Sequence, residues 1–350
     1  MGNLELHLPT KKTEQTKMTN PSTKKYSVWH ILVMSVIVAG LTFLASGYIG
    51  GKNDKKDETA IAGYACNYNI KRLEGYKFIK PIMFVDGDCE SESLQPIKSK
   101  LTGIIEQYKT NNGVINASVY LRSNREWIDI NGNEAYEPGS LFKVPVMMAI
   151  LKMSEESPGF LNKLVAYNKV FDINKHVMYS DKSIQLGHNY TIKELLEYMI
   201  RYSDNNATAL LETYMKPEIL QKMFADIGLE VPNMYAQHYY FNASQYSLFM
   251  RSIYNANYLS AKNSEYAAEL LSECEFKDGI AKGLPAGVKL VHKFGEAGSV
   301  DQIQLHESAI IYVDGKSYLL TVMTKGKDTK ALSALIGEIS REVYNDRKGA

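Results

Sequence analysis

The chain has 350 residues, 45% hydrophobic and 23% charged, an ordinary globular composition with room for a large core. Its 40 basic and 39 acidic side chains leave a formal net charge of +1, which excludes the electrostatic footprint of a nucleic-acid binder. No repeat at solenoid spacing is visible, and we assign the chain no metal and no cofactor.

Residues 1–28 form a Lys-rich leader, with Lys11, Lys12, Lys17, Lys24 and Lys25 set against Glu5 and Glu14. From Tyr26 to Gly51 there is no Asp, Glu, Lys or Arg. A span of hydrocarbon needs about 20 apolar residues, so 29–51 is expected to be a transmembrane anchor, with Trp29 and Tyr48 near its ends. Basic flanks stay cytoplasmic, which puts the rest of the chain outside the plasma membrane. The small residues of "FLASG" suit a cleaved signal peptide as the competing reading, but the long run and long leader favour a retained anchor. Residues 52–92 read as a polar tether and an extension. Of the three cysteines, Cys66 and Cys89 share that extension and are the expected pair, leaving Cys274. Between them "YKFIKPIMFVD" has strand character broken by Pro81, and no function attaches to it.

From residue 93 onward the periodicity predicts a helix over about Leu94 to Tyr108, then paired strands in "GVINASVYLRS" and "REWIDING". "EPGSLFKVPVMMAILK" is apolar almost all round after its start, as in a buried helix. "NYTIKELLEYMIRYSDNNATALLETYM" opens on a cap signal and is helical until the break at Ser-Asp-Asn. Two further helical patterns lead to "VKLVHKFGEAGS", to a hairpin turning at Asp314-Gly315, and to a last helix with Leu332, Leu335, Ile336, Ile339 and Val343 on one stripe. Strands at both ends of a helical middle predict an α+β (or α/β-type) sandwich, a largely antiparallel sheet packed by helices.

Three short motifs carry chemistry. Lys143 stands three residues after Ser140, so the two share one helical face. A serine hydroxyl is a weak nucleophile until a base takes its proton, and a lysine neutralised by burial is such a base. Ser-x-x-Lys alone is weak, because Ser22 and Lys25 repeat it in the leader. Ser203, Asp204 and Asn205 suit a helix break, since all three favour caps and turns. They equally suit a proton relay and an amide grip. Lys293 and Gly295 lie on a predicted strand, where glycine permits close approach to a ligand; Lys277 and Gly279 form a second copy of that weak pattern.

Taken in order, Ser-x-x-Lys, Ser-Asp-Asn and Lys-x-Gly resemble the class A β-lactamase and penicillin-binding protein family, from about residue 95 to the end. The spacing fits as well, with 63 positions from Ser140 to Ser203 and 90 from Ser203 to Lys293. The resemblance implies the β-lactamase/transpeptidase fold, with an all-helical subdomain beside the sheet, over residues 93–350. It makes Ser140 the acylated nucleophile and Lys143 its base. Ser203 would shuttle protons, Asn205 hold the substrate amide, and Lys293 orient Ser203 and attract a carboxylate. Gly295 would admit the substrate backbone, and the backbone N–H groups of Ser140 and Glu296 would form the oxyanion hole.

Two departures stand out. Family lactamases carry a glutamate that activates the deacylating water in a loop before the helix near "FNASQYS". Here Val231 to Phe241 contains no acidic residue; Gln237 or His238 could occupy the region. Phe294 stands where a hydroxyl usually binds the substrate carboxylate. Three functions follow as expectations: a membrane-anchored serine enzyme hydrolysing β-lactams or related acyl amides with unusual deacylation, a D,D-peptidase or transpeptidase acting on cell-wall peptides, or a non-catalytic sensing module. The intact Ser140, Lys143, Ser203, Asn205 and Lys293 argue against the last.

Overall fold

The computed structural model describes residues 66–171, 182–233, 239–299 and 301–348. The leader 1–28, the expected anchor 29–51, residues 52–65 of the tether, and Gln237 and His238 lie outside the described residues. Among the described residues, no helix is long and apolar enough to cross a membrane.

The described chain opens with an antiparallel hairpin, β1 (Tyr68–Arg72) and β2 (Ile82–Gly87), closed at its base by the expected Cys66–Cys89 disulfide. Its inner side is held to the body. Met83 and Phe84 are buried, and Asp86 pairs with both Arg122 and Arg251 at 2.7–2.8 Å.

Helix α1 (Gln95–Asn111) follows, then β3 (Val114–Ser123) and β4 (Glu126–Ile130). Near the end of the chain come β7 (Leu290–Ser299), β8 (Gln302–Val313), β9 (Lys316–Gly326) and α8 (Thr329–Arg347). These five strands form one antiparallel sheet in the order β4-β3-β9-β8-β7. The β8–β9 turn has Asp314 at φ 49° and Gly315 at φ 77°, the left-handed pair that a two-residue hairpin with right-handed twist requires. One face of the sheet is covered by α1 and α8, whose Leu101, Ile105, Leu335 and Ile339 share a core cluster with Val119, Leu305 and Leu320. The expected stripe on the last helix is that buried face.

A helical block lies against the other face: α2 (Lys143–Glu156), α3 (Ile192–Arg201), α4 (Asn205–Glu212), α5 (Pro217–Ile227), α6 (Ala243–Tyr254) and α7 (Ala261–Ser272). A two-stranded pair, β5 (Leu164–Ala166) and β6 (Asn189–Thr191), leads into α3. The start of α3 is fixed by a capping box, in which Thr191 and Glu194 satisfy each other's backbone N–H groups. Helix α2 runs through the middle of this block, and every residue from Lys143 to Leu151 is buried. Each fully buried Val, Leu, Ile or Met contributes roughly 1.5–3 kcal/mol, so burial rather than capping holds α2 in place. The architecture is α+β, as the pattern of elements predicts.

Candidate active site

The site lies where the first turn before α2, the α3–α4 junction and strand β7 meet. Gly139–Phe142 is a single 3₁₀ turn, and the α-helix begins only at Lys143. Residues three apart in a 3₁₀ turn eclipse one another. Ser140 Oγ therefore stands 2.7 Å from Lys143 Nζ.

Strand β7 presses directly on that turn. A Cβ on Gly139, whose φ is +52°, would sit 1.9 Å from the Glu296 carbonyl oxygen. A Cβ on Gly295 would sit 2.3 Å from the Pro138 carbonyl oxygen. Only glycine at both positions lets the backbone of Glu296 lie beside Ser140. Tyr246 locks the turn from behind, donating its buried hydroxyl to the Leu141 carbonyl at 2.9 Å. His306 supports the approach to it. Its Nε2–H donates to the Glu137 carbonyl at 3.0 Å while Nδ1 accepts from the Thr324 N–H at 3.1 Å. Burial holds the His306 pKa down at about 4, so the ring is a neutral strut.

The α3–α4 junction supplies the second motif. Ser203 has φ 55°, a left-handed conformation that costs a non-glycine residue about 1–3 kcal/mol and is kept where the surroundings enforce it. The enforcing residue is Asp204. Its buried carboxylate caps α4 through the Asn206 N–H and also accepts from the Ser183 hydroxyl and the Ile184 N–H. With the junction so fixed, Ser203 Oγ lies 3.3 Å from Lys143 Nζ and 3.0 Å from Lys293 Nζ. Asn205 Oδ1 accepts from Lys143 at 2.6 Å. Lys293 also donates to the Phe294 carbonyl at 3.2 Å.

Ser140, Lys143, Ser203, Asn205 and Lys293 are thus one connected set, with Gly295 and the backbone of Glu296 at its edge. The second Lys-x-Gly pattern is elsewhere: Lys277 donates to the Cys274 carbonyl at 3.0 Å and Gly279 packs on Glu307.

Electrostatics give this set its chemistry. Lys143 is 4% exposed and Lys293 is fully buried. Burial, then the charge of Lys293, drives the Lys143 pKa well below its usual value, against opposing pulls from Asp204, Glu212 and Glu296. Burial also lowers Lys293, to about 8. A neutral Lys143 has two N–H groups to donate, to Asn205 and Ser203, and one lone pair directed to the Ser140 hydroxyl. That arrangement can deprotonate Ser140.

Glu212 was not marked by any motif. It lies seven residues after Asn205 on α4, so both occupy one face of the helix, and its carboxylate acts on Lys143. Its side chain reaches solvent, yet burial of the carboxyl raises its pKa. The i, i+7 relation to Asn205 was the available signal. Phe294 points into the cluster behind the sheet, stacked on Phe276 with ring centres 4.3 Å apart. It supplies no hydroxyl to the cleft. The flanks of the 231–241 loop are tied down: Tyr239 stacks on Phe142, and Phe241 exchanges both backbone hydrogen bonds with Tyr136 at 2.9 Å.

A model of the beta-lactamase enzyme family matches residues 96–346. A protein of Phocaeicola vulgatus named beta-lactamase is 24% identical over 287 residues, covering 71% of this chain and 85% of its own length. A representative class A beta-lactamase of Bacteroides cellulosilyticus superposes with a TM-score of 0.63 at 18% identity, over 75% of this chain and 100% of that one. A variant of PBP-A, solved as its acyl-enzyme complex with penicillin G, gives a TM-score of 0.62 at 19% identity, over 73% of this chain and 98% of that one. At these identities the solved structures establish a shared fold.

Proposed function

We propose that this chain, which belongs to the beta-lactamase enzyme family, is a membrane-anchored serine hydrolase that forms an acyl-enzyme at Ser140 with β-lactams or related acyl amides. The observation that carries the reading is the buried Lys143 amine 2.7 Å from Ser140 Oγ, with its pKa driven down by burial and by Lys293. Lys143 takes the Ser140 proton as Oγ attacks the carbonyl carbon. The carbonyl oxygen becomes an oxyanion facing the backbone N–H groups of Ser140 and Glu296. The C–N bond then breaks, Ser203 gives its proton to the departing nitrogen, and Lys143 returns a proton to Ser203. Asn205 holds the substrate's side-chain amide, and Lys293 meets its carboxylate.

Hydrolysis of the ester needs a base for water, and no acidic residue between Val231 and Phe241 offers one. Deacylation is therefore the slower step. Of the three carboxylates acting on Lys143, Asp204 is engaged in capping α4, and Glu212 is the one we assign to take the water proton. The same lack of a loop carboxylate supports a second reading, a D,D-peptidase or transpeptidase acting on cell-wall peptides.

The anchor belongs to this reading too. The uncharged run to Gly51 and the Lys-rich leader support a single span with the enzyme outside. The Cys66–Cys89 disulfide fits an oxidising compartment.

A reporter penicillin should label the wild type covalently and leave Ser140→Ala unlabelled and folded. Equal labelling of the two would refute the assignment. Turnover of a chromogenic cephalosporin beside a D-Ala-D-Ala peptide separates the two readings.

A further inference from the structure

The β1–β2 hairpin is apolar on both sides, which a surface hairpin on a soluble body does not need. Its inner side buries Met83 and Phe84. In the strand register Tyr68 faces Gly87, Ile70 faces Val85 and Arg72 faces Ile82, so Tyr68, Ile70, Val85 and Ile82 share the outward side. All four are exposed. The tip continues the patch with Tyr76, Ile79 and Phe78, the last 88% exposed. Among the described residues, these seven are half of the large apolar side chains found exposed. A contiguous patch of this kind marks an interaction surface.

The patch is built rather than loose. Arg72 donates to the Lys80 carbonyl at 2.6 Å and the Leu73 N–H to the Pro81 carbonyl at 2.9 Å, closing the tip. Asp86 is clamped by two arginines, and Arg122 donates to the Val85 carbonyl at 3.2 Å. Among the described residues, the outward side is left uncovered.

Its chemistry points to lipid. Between Lys71 and Lys80 there are four basic residues and one acidic residue, Glu74. Lys77 lies over the Phe78 ring at 5.1 Å. Exposed aromatics interleaved with Lys and Arg suit the headgroup layer of an anionic bilayer, where each has its preferred partner. Position in the chain agrees. The hairpin begins 17 residues after the uncharged run ends at Gly51, a leash of at most about 60 Å when fully extended. We propose that the outward side and tip of this hairpin rest on an anionic lipid surface, holding the enzyme against its membrane. The leash argument rests on the anchor reading above; the patch itself does not.

The test uses the full chain in vesicles of phosphatidylcholine and phosphatidylglycerol. Trp29→Phe leaves Trp127 as the background fluorophore, and Phe78→Trp adds the probe. Lipids brominated in the upper acyl chain should quench the added emission at least twofold and leave the Trp127 background unchanged. Lys77→Glu with Lys80→Glu should reduce that quenching. Flotation through a carbonate wash reports the anchor separately. A chain that floats through carbonate with an unquenched Phe78→Trp probe overturns the hairpin proposal and keeps the anchor. A probe quenched on vesicles but stripped by carbonate keeps the hairpin and overturns the anchor. Emission that tracks protein density instead of bromine assigns the patch to a second copy and overturns the lipid proposal.

Discussion

The two sides of the candidate site are built differently. On the acylating side, Ser140, Lys143, Ser203 and Lys293 are interlocked by hydrogen bonds of 2.7–3.3 Å, and two glycines bring the backbones of β7 and the Ser140 turn into contact. For the hydrolytic step, the Val231 to Phe241 loop has no carboxylate in its sequence, and the base proposed in its place, Glu212, reaches solvent at the end of α4. Burial drives the Lys143 pKa down on the first side, which favours the neutral amine that the proposed base must be. On the second side, the sequence of the Val231 to Phe241 loop supplies no carboxylate to serve as the base for a water. In the proposed reaction, forming the acyl-enzyme and releasing it would rest on separate structural features, so one could be well made without the other.

The largest effect should come from breaking the acylating side. Lys143→Ala removes the base and should slow acylation by about 10²- to 10⁴-fold, the usual worth of a positioned base, with the fold retained. Stopped-flow acylation by a penicillin checks this. A loss below tenfold would move the base elsewhere. Gly295→Ala should come next. Its Cβ meets the Pro138 carbonyl oxygen at 2.3 Å, so β7 or the Ser140 turn must shift. A 1 Å misplacement of catalytic groups costs about 10²-fold, and acylation should fall by that order while thermal unfolding stays cooperative.

Glu212→Gln sharpens the comparison, because it should act on both sides with opposite visibility. The acyl-enzyme should live about tenfold or more longer if Glu212 serves the water, within the range for a general base. In the free enzyme, loss of the carboxylate removes a pull that raises the Lys143 pKa, so that pKa should fall further. The acidic limb of the acylation profile should then move to lower pH. An unchanged acyl lifetime would relieve Glu212 of the hydrolytic role.

The smallest effect concerns pH in the wild type. Acylation needs Lys143 neutral, so the rate should rise with pH through its lowered pKa. Substrate capture needs Lys293 charged, so kcat/KM should fall again as pH passes about 8. The limbs belong to the coupled pair rather than to either lysine alone. A profile still rising at pH 9 would mean that Lys293 does not meet the carboxylate.

Much of the acylating side was legible because its chemistry is expressed in short local patterns. An apolar run with a lysine at its mouth has few physical solutions, and α2 is buried from Lys143 to Leu151 as that run requires. Helices and strands followed from periodicity, and the β8–β9 turn from Asp314-Gly315. The sheet order β4-β3-β9-β8-β7 was not legible, because β3 pairs with β9 across some 200 residues and no local signal encodes that partner. Ser140 was expected at the start of the helix; that start is a 3₁₀ turn, and Gly139 and β7 are packed tightly together there. The left-handed Ser203 was hidden for a related reason. Its conformation is imposed by Asp204 and the 183–184 segment, not by its own propensity. Glu212 was missed because its relation to Asn205 becomes meaningful only once α4 is known to face Lys143. The substitutes considered in the loop, Gln237 and His238, lie outside the described residues.

The most direct measurement is a single experiment on the acyl-enzyme. The wild type is mixed with a chromogenic cephalosporin, product is followed from the first milliseconds, and the protein is quenched for mass spectrometry. The account predicts a burst equal to the enzyme present, an adduct on Ser140, and a slow steady state limited by deacylation. Fast linear turnover with no burst and no adduct would contradict it, and would place an efficient hydrolytic base on the side that Val231 to Phe241 leaves without a carboxylate.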